Sequence, residues 1–176
     1  MLKRTLLLSI FVASVFAACS PAEKPVEKKP SQVVHPEWSK NANIYEVNIR
    51  QYSEEGTFKA FQEDLPRLKE MGVKILWLMP IHPIGKIKRK ETEESRGSYY
   101  SVADYKKVNP NFGTEEDFKN LVDAAHEQGF KLIIDWVANH SAWDNPWTEN
   151  KDWYELTEDG NFMPPRGTVG CYSVEL

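Results

Sequence analysis

The sequence predicts an α/β fold in which strands alternate with helices around a parallel sheet. Two continuous apolar runs, "VKILWLMP" and "FKLIIDWV", read as strands covered on both faces. A helical pattern precedes each run, and a third strand, "NIYEVNI", opens the series. Strands alternating with helices at this spacing imply right-handed crossovers between parallel neighbours.

Each element has its own local warrant. "NIYEVNI" spaces Ile44, Val47 and Ile49 imperfectly, but its β-branched content favours a strand. Phe58, Phe61, Leu65, Leu68 and Met71 then recur at steps of three or four, one face of a helix begun by Thr57 and ended by Gly72. Pro66 predicts a kink or break inside it. After the second strand a long polar loop runs from about Ile81 to Gly113. Thr114 caps the next helix, Glu115, Glu116 and Asp117 fill its electropositive first turn, and Gly129 stops it. Its buried stripe is Phe118, Leu121, Val122 and Ala125.

The third strand runs into "DWVANH", so Asp135, Asn139 and His140 stand where it ends. In parallel α/β folds functional groups collect at the C-terminal ends of strands. By spacing alone, satisfied strand-end hydrogen bonding is the favoured reading of Asp135 and His140.

Composition bounds the remaining choices. The chain has 176 residues, 41% hydrophobic and 27% charged, enough for one modest core. A formal net charge of −4 favours neither a nucleic-acid partner nor an anionic surface. Before the strands, Lys3 and Arg4, an apolar Leu6–Ala18 run and "FAAC" read as a signal peptide over residues 1–18, too short to span a membrane. "FAAC" resembles a bacterial lipobox, which implies lipidation of Cys19 and a membrane-anchored lipoprotein of the bacterial cell envelope. An ordinary secretory signal with an incidental cysteine is the other reading. Residues 19–37, rich in Pro, Lys and Glu, form a disordered tether, and the globular part starts near Trp38.

"DWVANH" at the end of a third strand resembles the first signature region of the alpha-amylase family of glycoside hydrolases, family 13. "NIYEVNIRQYS", "MGVKILWLMPIHPIG" and "GSYYSVADYKKVNPNFGT" are similar to that family's first strand, its second strand with the following loop, and the stretch before its second helix. The resemblance implies the N-terminal portion of a (β/α)8 TIM barrel, about three of eight strands, over residues 38–176; from about residue 166 the chain does not align. It implies a substrate of alpha-linked glucan or maltooligosaccharide and a retaining mechanism in the full-length protein. Asp135 would orient groups at the barrel mouth. His140 would contact the sugar on the non-reducing side of the cleaved bond, and Tyr100 would stack on the same ring. Asn139 aligns with a residue that in many members helps hold a structural calcium ion.

The family's nucleophile, acid and further essential Asp follow later strands, so no catalytic residue is assigned here, and the chain in this form is expected to be truncated and to hydrolyse no glucan. The alternatives are a non-catalytic surface glycan-binding lipoprotein and a non-functional gene fragment. Tyr99 and Tyr100 are adjacent, so only one can face a cleft. His82 is expected to pack a loop, and His126 to lie exposed on its helix. Trp136, Trp143, Trp147, Trp153 and Tyr154 form either a glycan platform or the apolar filling of a long loop, with filling favoured. "KIKRK" and "ETEE" are read as solvated loop charge.

Overall fold

The computed structural model describes residues 34–89, 96–165 and, as backbone, 171–173. The signal peptide, Cys19, most of the tether and "ETEE" lie outside the described residues. From Pro36 onward the chain forms one compact unit.

Three parallel strands, β1 (Ile44–Val47), β2 (Ile75–Leu78) and β3 (Lys131–Ile134), lie in the order β1-β2-β3. Their registers run Ile44↔Ile75 and Ile75↔Lys131, and onward to Leu78↔Ile134. Neighbours in sequence are thus neighbours in space, joined by helical crossovers. β1 is shorter than its apolar pattern suggests. The chain turns after Asn48, and Ile49 is buried from a one-turn helix, α1 (Ile49–Tyr52), not from the strand.

The first crossover breaks as Pro66 requires. α2 (Phe58–Glu63) starts on Thr57, whose hydroxyl accepts from the Ala60 N–H, and α3 (Leu65–Glu70) restarts with Pro66 in its first turn, where a missing N–H costs nothing. The break resets the helical phase. Phe58, Phe61, Leu65 and Leu68 are buried, but Met71, placed on the same stripe by the pattern, is 56% exposed as the C-cap. Arg67 grips both carboxylate oxygens of Asp64 at 2.9 and 3.0 Å through Nε, and Tyr52 donates its hydroxyl to the same carboxylate. That fork holds the break in shape.

α4 (Glu115–Glu127) has a full capping box: Thr114 accepts from the Asp117 N–H, and Asp117 accepts from the Thr114 N–H at 2.9 Å. Its buried face is Leu121 and Ala125, flanked by half-buried Phe118 and Val122. Gly129 follows its C-cap at φ +91°, a left-handed backbone that glycine adopts without penalty.

The core lies between the helices and one face of the sheet, where Leu76 and Leu78 of β2 meet Phe58, Phe61, Leu65 and Leu121. Each such buried side chain contributes about 1.5–3 kcal/mol. The other face is open. Ile75 and Trp77 are only half-buried and Ile133 is 46% exposed, so the apolar runs are covered on one face here instead of two.

The segment between β2 and α4 is more ordered than "polar loop" implies. Gly85 N–H donates to Ser101 O, Ala103 N–H to Pro83 O and Ala142 N–H to Val102 O, all between 2.8 and 2.9 Å. The first two bonds fold the loop after β2 on itself, and the third ties it to the chain after β3. There β4 (His140–Ala142) pairs antiparallel with β5 (Cys171–Ser173), so part of the tail that could not be aligned is strand. Among the described residues no helix is long and apolar enough to cross a membrane.

Candidate functional site

β3 delivers Asp135 to the C-terminal edge of the sheet, where its N–H extends the ladder to Leu78 O at 2.8 Å. Above it sits Tyr100, whose hydroxyl donates to Asp135 Oδ2 at 3.2 Å. Burial, then the Asp135 charge and hydrogen bond, raise the Tyr100 phenol above its ordinary range, and Glu46 on β1 adds to the same push. The residue remains 36% exposed.

The neighbouring Tyr99 points the other way. It packs against the core with the Arg50 guanidinium 4.2 Å from its ring centre, while Arg50 Nη1 donates to Gly97 O at 3.3 Å. Of the pair only Tyr100 reaches the Asp135 edge, as adjacent residues on an extended chain require.

His140 opens β4 and closes the cluster. Its Nε2 lies 3.0 Å from Tyr100 O and its Nδ1 lies 3.0 Å from Asn139 Nδ2. A carbonyl can only accept and an amide nitrogen can only donate. The network therefore fixes the tautomer: Nε2 carries the proton and Nδ1 accepts. Both ring nitrogens are engaged, so any new partner for Nε2 must displace the Tyr100 carbonyl. The structure thus joins Tyr100, Asp135, Asn139 and His140 in one chain of contacts.

One residue of the site had no signal in the sequence. Tyr105 places its hydroxyl 2.6 Å from Val137 O and 2.7 Å from His140 O, so a single phenol holds the turn between β3 and β4. Its ring stacks on Trp147 at 4.7 Å and meets the edge of His82 at 5.6 Å. His82 itself bonds Lys107 O through Nδ1, the loop-packing role expected of it, and His126 is exposed.

Most of the clustered aromatics fill the loop. Trp153 meets Trp147 edge-on, and buried Tyr154 meets Phe162 and shares a hydrogen bond with Ser141. Trp136, one residue past Asp135, differs at 68% exposed, and Trp153 keeps 49% of its surface open despite its contact with Trp147. "KIKRK" is likewise mixed, since Lys88 is not free but lies over the Trp143 ring.

Calcium takes six to eight oxygen ligands. Among the described residues no group of three or more His, Cys, Asp or Glu could hold a metal ion, and Asn139 spends its amide nitrogen on His140, leaving one oxygen. Asn139 thus keeps its amide oxygen available as a ligand.

Residues 32–166 match the family model for the alpha-amylase catalytic domain. The structure is similar to that of an alpha-amylase from Lactobacillus plantarum, with a TM-score of 0.72, 42% identity, and coverage of 77% of this chain and 32% of that one. Trehalose synthase of Thermus thermophilus is 36% identical over 132 residues, 68% of this chain and 13% of its own length. Alpha-amylase 3 of Dictyoglomus thermophilum is 36% identical over 115 residues, 62% of this chain and 21% of its own. The chain therefore spans a third or less of the length of these relatives.

Proposed function

The chain belongs to the alpha-amylase family, and from that premise we propose that it supplies the sugar-positioning wall of a retaining glycoside hydrolase acting on alpha-linked glucans. The observation that carries the reading is the linkage of Tyr100, Asp135 and His140 at the C-terminal edge of β3. A partly exposed tyrosine beside a carboxylate and an imidazole offers what a pyranose needs: an apolar plane and convergent hydrogen bonds.

In this reading the three parallel strands begin an eight-stranded barrel. Tyr100 stacks on the sugar to the non-reducing side of the bond cleaved, Asp135 orients the Tyr100 hydroxyl and a sugar hydroxyl, and His140 donates from Nε2. Retaining hydrolysis needs two carboxyls about 5 Å apart, one attacking the anomeric carbon and one protonating the leaving oxygen. The family resemblance puts both on later strands, so the residues here bind and orient but do not attack. A structural calcium ion, with Asn139 as one ligand, belongs to the same proposal and requires oxygens beyond those described. So does anchoring in the cell envelope through a lipidated Cys19, supported by the charged start, the apolar run and "FAAC".

The test is kinetic. In the full-length protein His140→Ala and Tyr100→Ala should lower turnover on maltooligosaccharides by about a hundredfold, the cost of misplacing a substrate by about 1 Å. Circular dichroism should stay unchanged. Wild-type kinetics in both variants would overturn the assignment. Glucan binding without any reducing-end release by the full-length protein would replace it with a glycan-binding role.

A further inference from the structure

Away from the Asp135 edge, the loop after β2 and the segment leading to α4 enclose a second cavity of about 430 Å³. Four cations, Lys86, Arg89, Arg96 and Lys107, converge on it, and no carboxylate of the described residues lines it. Lys107 is paired with Asp104 at 3.0 Å. Lys86, Arg89 and Arg96 have no carboxylate partner among the described residues. The nearby Asp144 accepts from the Lys86 backbone N–H at 2.8 Å through one oxygen, while its other oxygen is buried with no hydrogen-bond partner among the described residues. Like charges gathered in a concave site repel, and the arrangement is relieved by an anion.

Two backbone features suggest that the gathering is built in. Lys88 holds φ +57°, a left-handed conformation that costs a non-glycine residue about 1–3 kcal/mol and is tolerated where the surroundings enforce it. The turn it makes, closed by Arg89 N–H to Lys86 O, carries Lys86 and Arg89 to the cavity while Lys88 itself leaves to cover Trp143. Across from them Gly97, at φ +80°, leaves the space the Arg89 stem occupies. A Cβ there would stand 2.7 Å from Arg89 Cδ and 2.7 Å from Ile84 Cγ2. Arg89 Nε is enclosed by this packing and has no hydrogen-bond partner among the described residues. Sealed from solvent, Nε cannot itself meet a solute in the cavity, so any contact from Arg89 falls to its terminal guanidinium nitrogens.

We propose that this cavity binds a small phosphate-bearing solute, its phosphate held by Arg89 and Arg96 and its remainder against Pro83, Ile84 and Val108. Guanidinium forks suit phosphate oxygens in pairs, and the volume exceeds what a bare ion fills.

The experiment titrates the full chain with inorganic phosphate and with glucose 6-phosphate at constant ionic strength, followed by phosphorus NMR and calorimetry. Saturable binding of one equivalent is expected, weakened at least tenfold by Arg89→Gln and at least threefold by Arg89→Lys, which keeps the charge but loses the fork. Tighter binding of the ester than of inorganic phosphate supports the proposal, and equal or weaker binding overturns it, because nothing beyond the phosphate would then be held. Should Arg89→Gln lose its circular dichroism signal, exposed Arg96→Gln and Lys86→Gln carry the same tenfold expectation together. Displacement by chloride as effectively as by sulfate would overturn the proposal, because it would show diffuse charge alone. Binding seen only after Glu91, Glu93 and Glu94 are changed to Gln would also overturn it, because the chain's own carboxylates would then be the occupants.

Discussion

Tyr105 holds His140 by its backbone: the phenol lies 2.7 Å from the His140 carbonyl oxygen, across 35 positions of sequence. The same hydroxyl is 2.6 Å from Val137 O, so the peptide between Asp135 and β4 is pinned at both ends. Tyr105→Phe keeps the ring against Trp147 and removes only the hydroxyl. It should cost about 1–3 kcal/mol, the penalty for stranding acceptors shielded from water. Urea unfolding measures it, and an unchanged midpoint would mean that solvent already reaches both carbonyls.

Tyr100 and Asp135 should be readable by pH. Burial and the Asp135 charge raise the phenol, so it stays protonated past the ordinary value of about 10. Its contribution to stability is therefore complete below the unfolded value and is lost as pH rises through the folded one. Asp135→Asn removes the charge and should move the Tyr100 titration back toward the ordinary value. Tyrosinate absorbance, differenced against Tyr100→Phe, isolates the signal. An unmoved curve would leave burial and the Glu46 charge as the causes.

Thr114→Ala removes one half of the α4 capping box and should destabilise the fold by about 0.5–2 kcal/mol. Thr57→Ala, at a cap with no reciprocal bond, should cost less. Equal losses in thermal melts would show that the Asp117 half of the box contributes nothing.

Cys19→Ser should release the mature protein from membranes. One acyl chain binds only marginally, so the wild type requires several on its N-terminus. Mass spectrometry of that N-terminus settles the point, and an unmodified residue, or unchanged partitioning of the variant, would refute it.

The parts legible in the sequence are those whose causes are local. Thr114, three acids and Gly129 bracket α4 because caps act within one turn. The break near Pro66 was legible for the same reason, yet its consequence for Met71 was not: a helix that restarts loses the phase from which the stripe was projected. The strand-end residues were found because β3 aims them, but their linkage runs through Tyr100, 35 positions from Asp135, and no periodicity encodes that distance. Tyr105 left still less trace, since an ordinary aromatic in a loop becomes a clamp only when two distant carbonyls arrive at its hydroxyl.

A run of backbone bonds through the loop after β2 also sets how the molecule breathes. Gly85 and Ala103 donate to Ser101 and Pro83 within that loop, and Ala142, after β3, donates to Val102 in it. None can open far without dragging the next, because Val102 also bridges to Ile84 and is itself buried. Their amide protons should exchange with deuterium as one unit, with closely similar protection, and not as three independent loop positions.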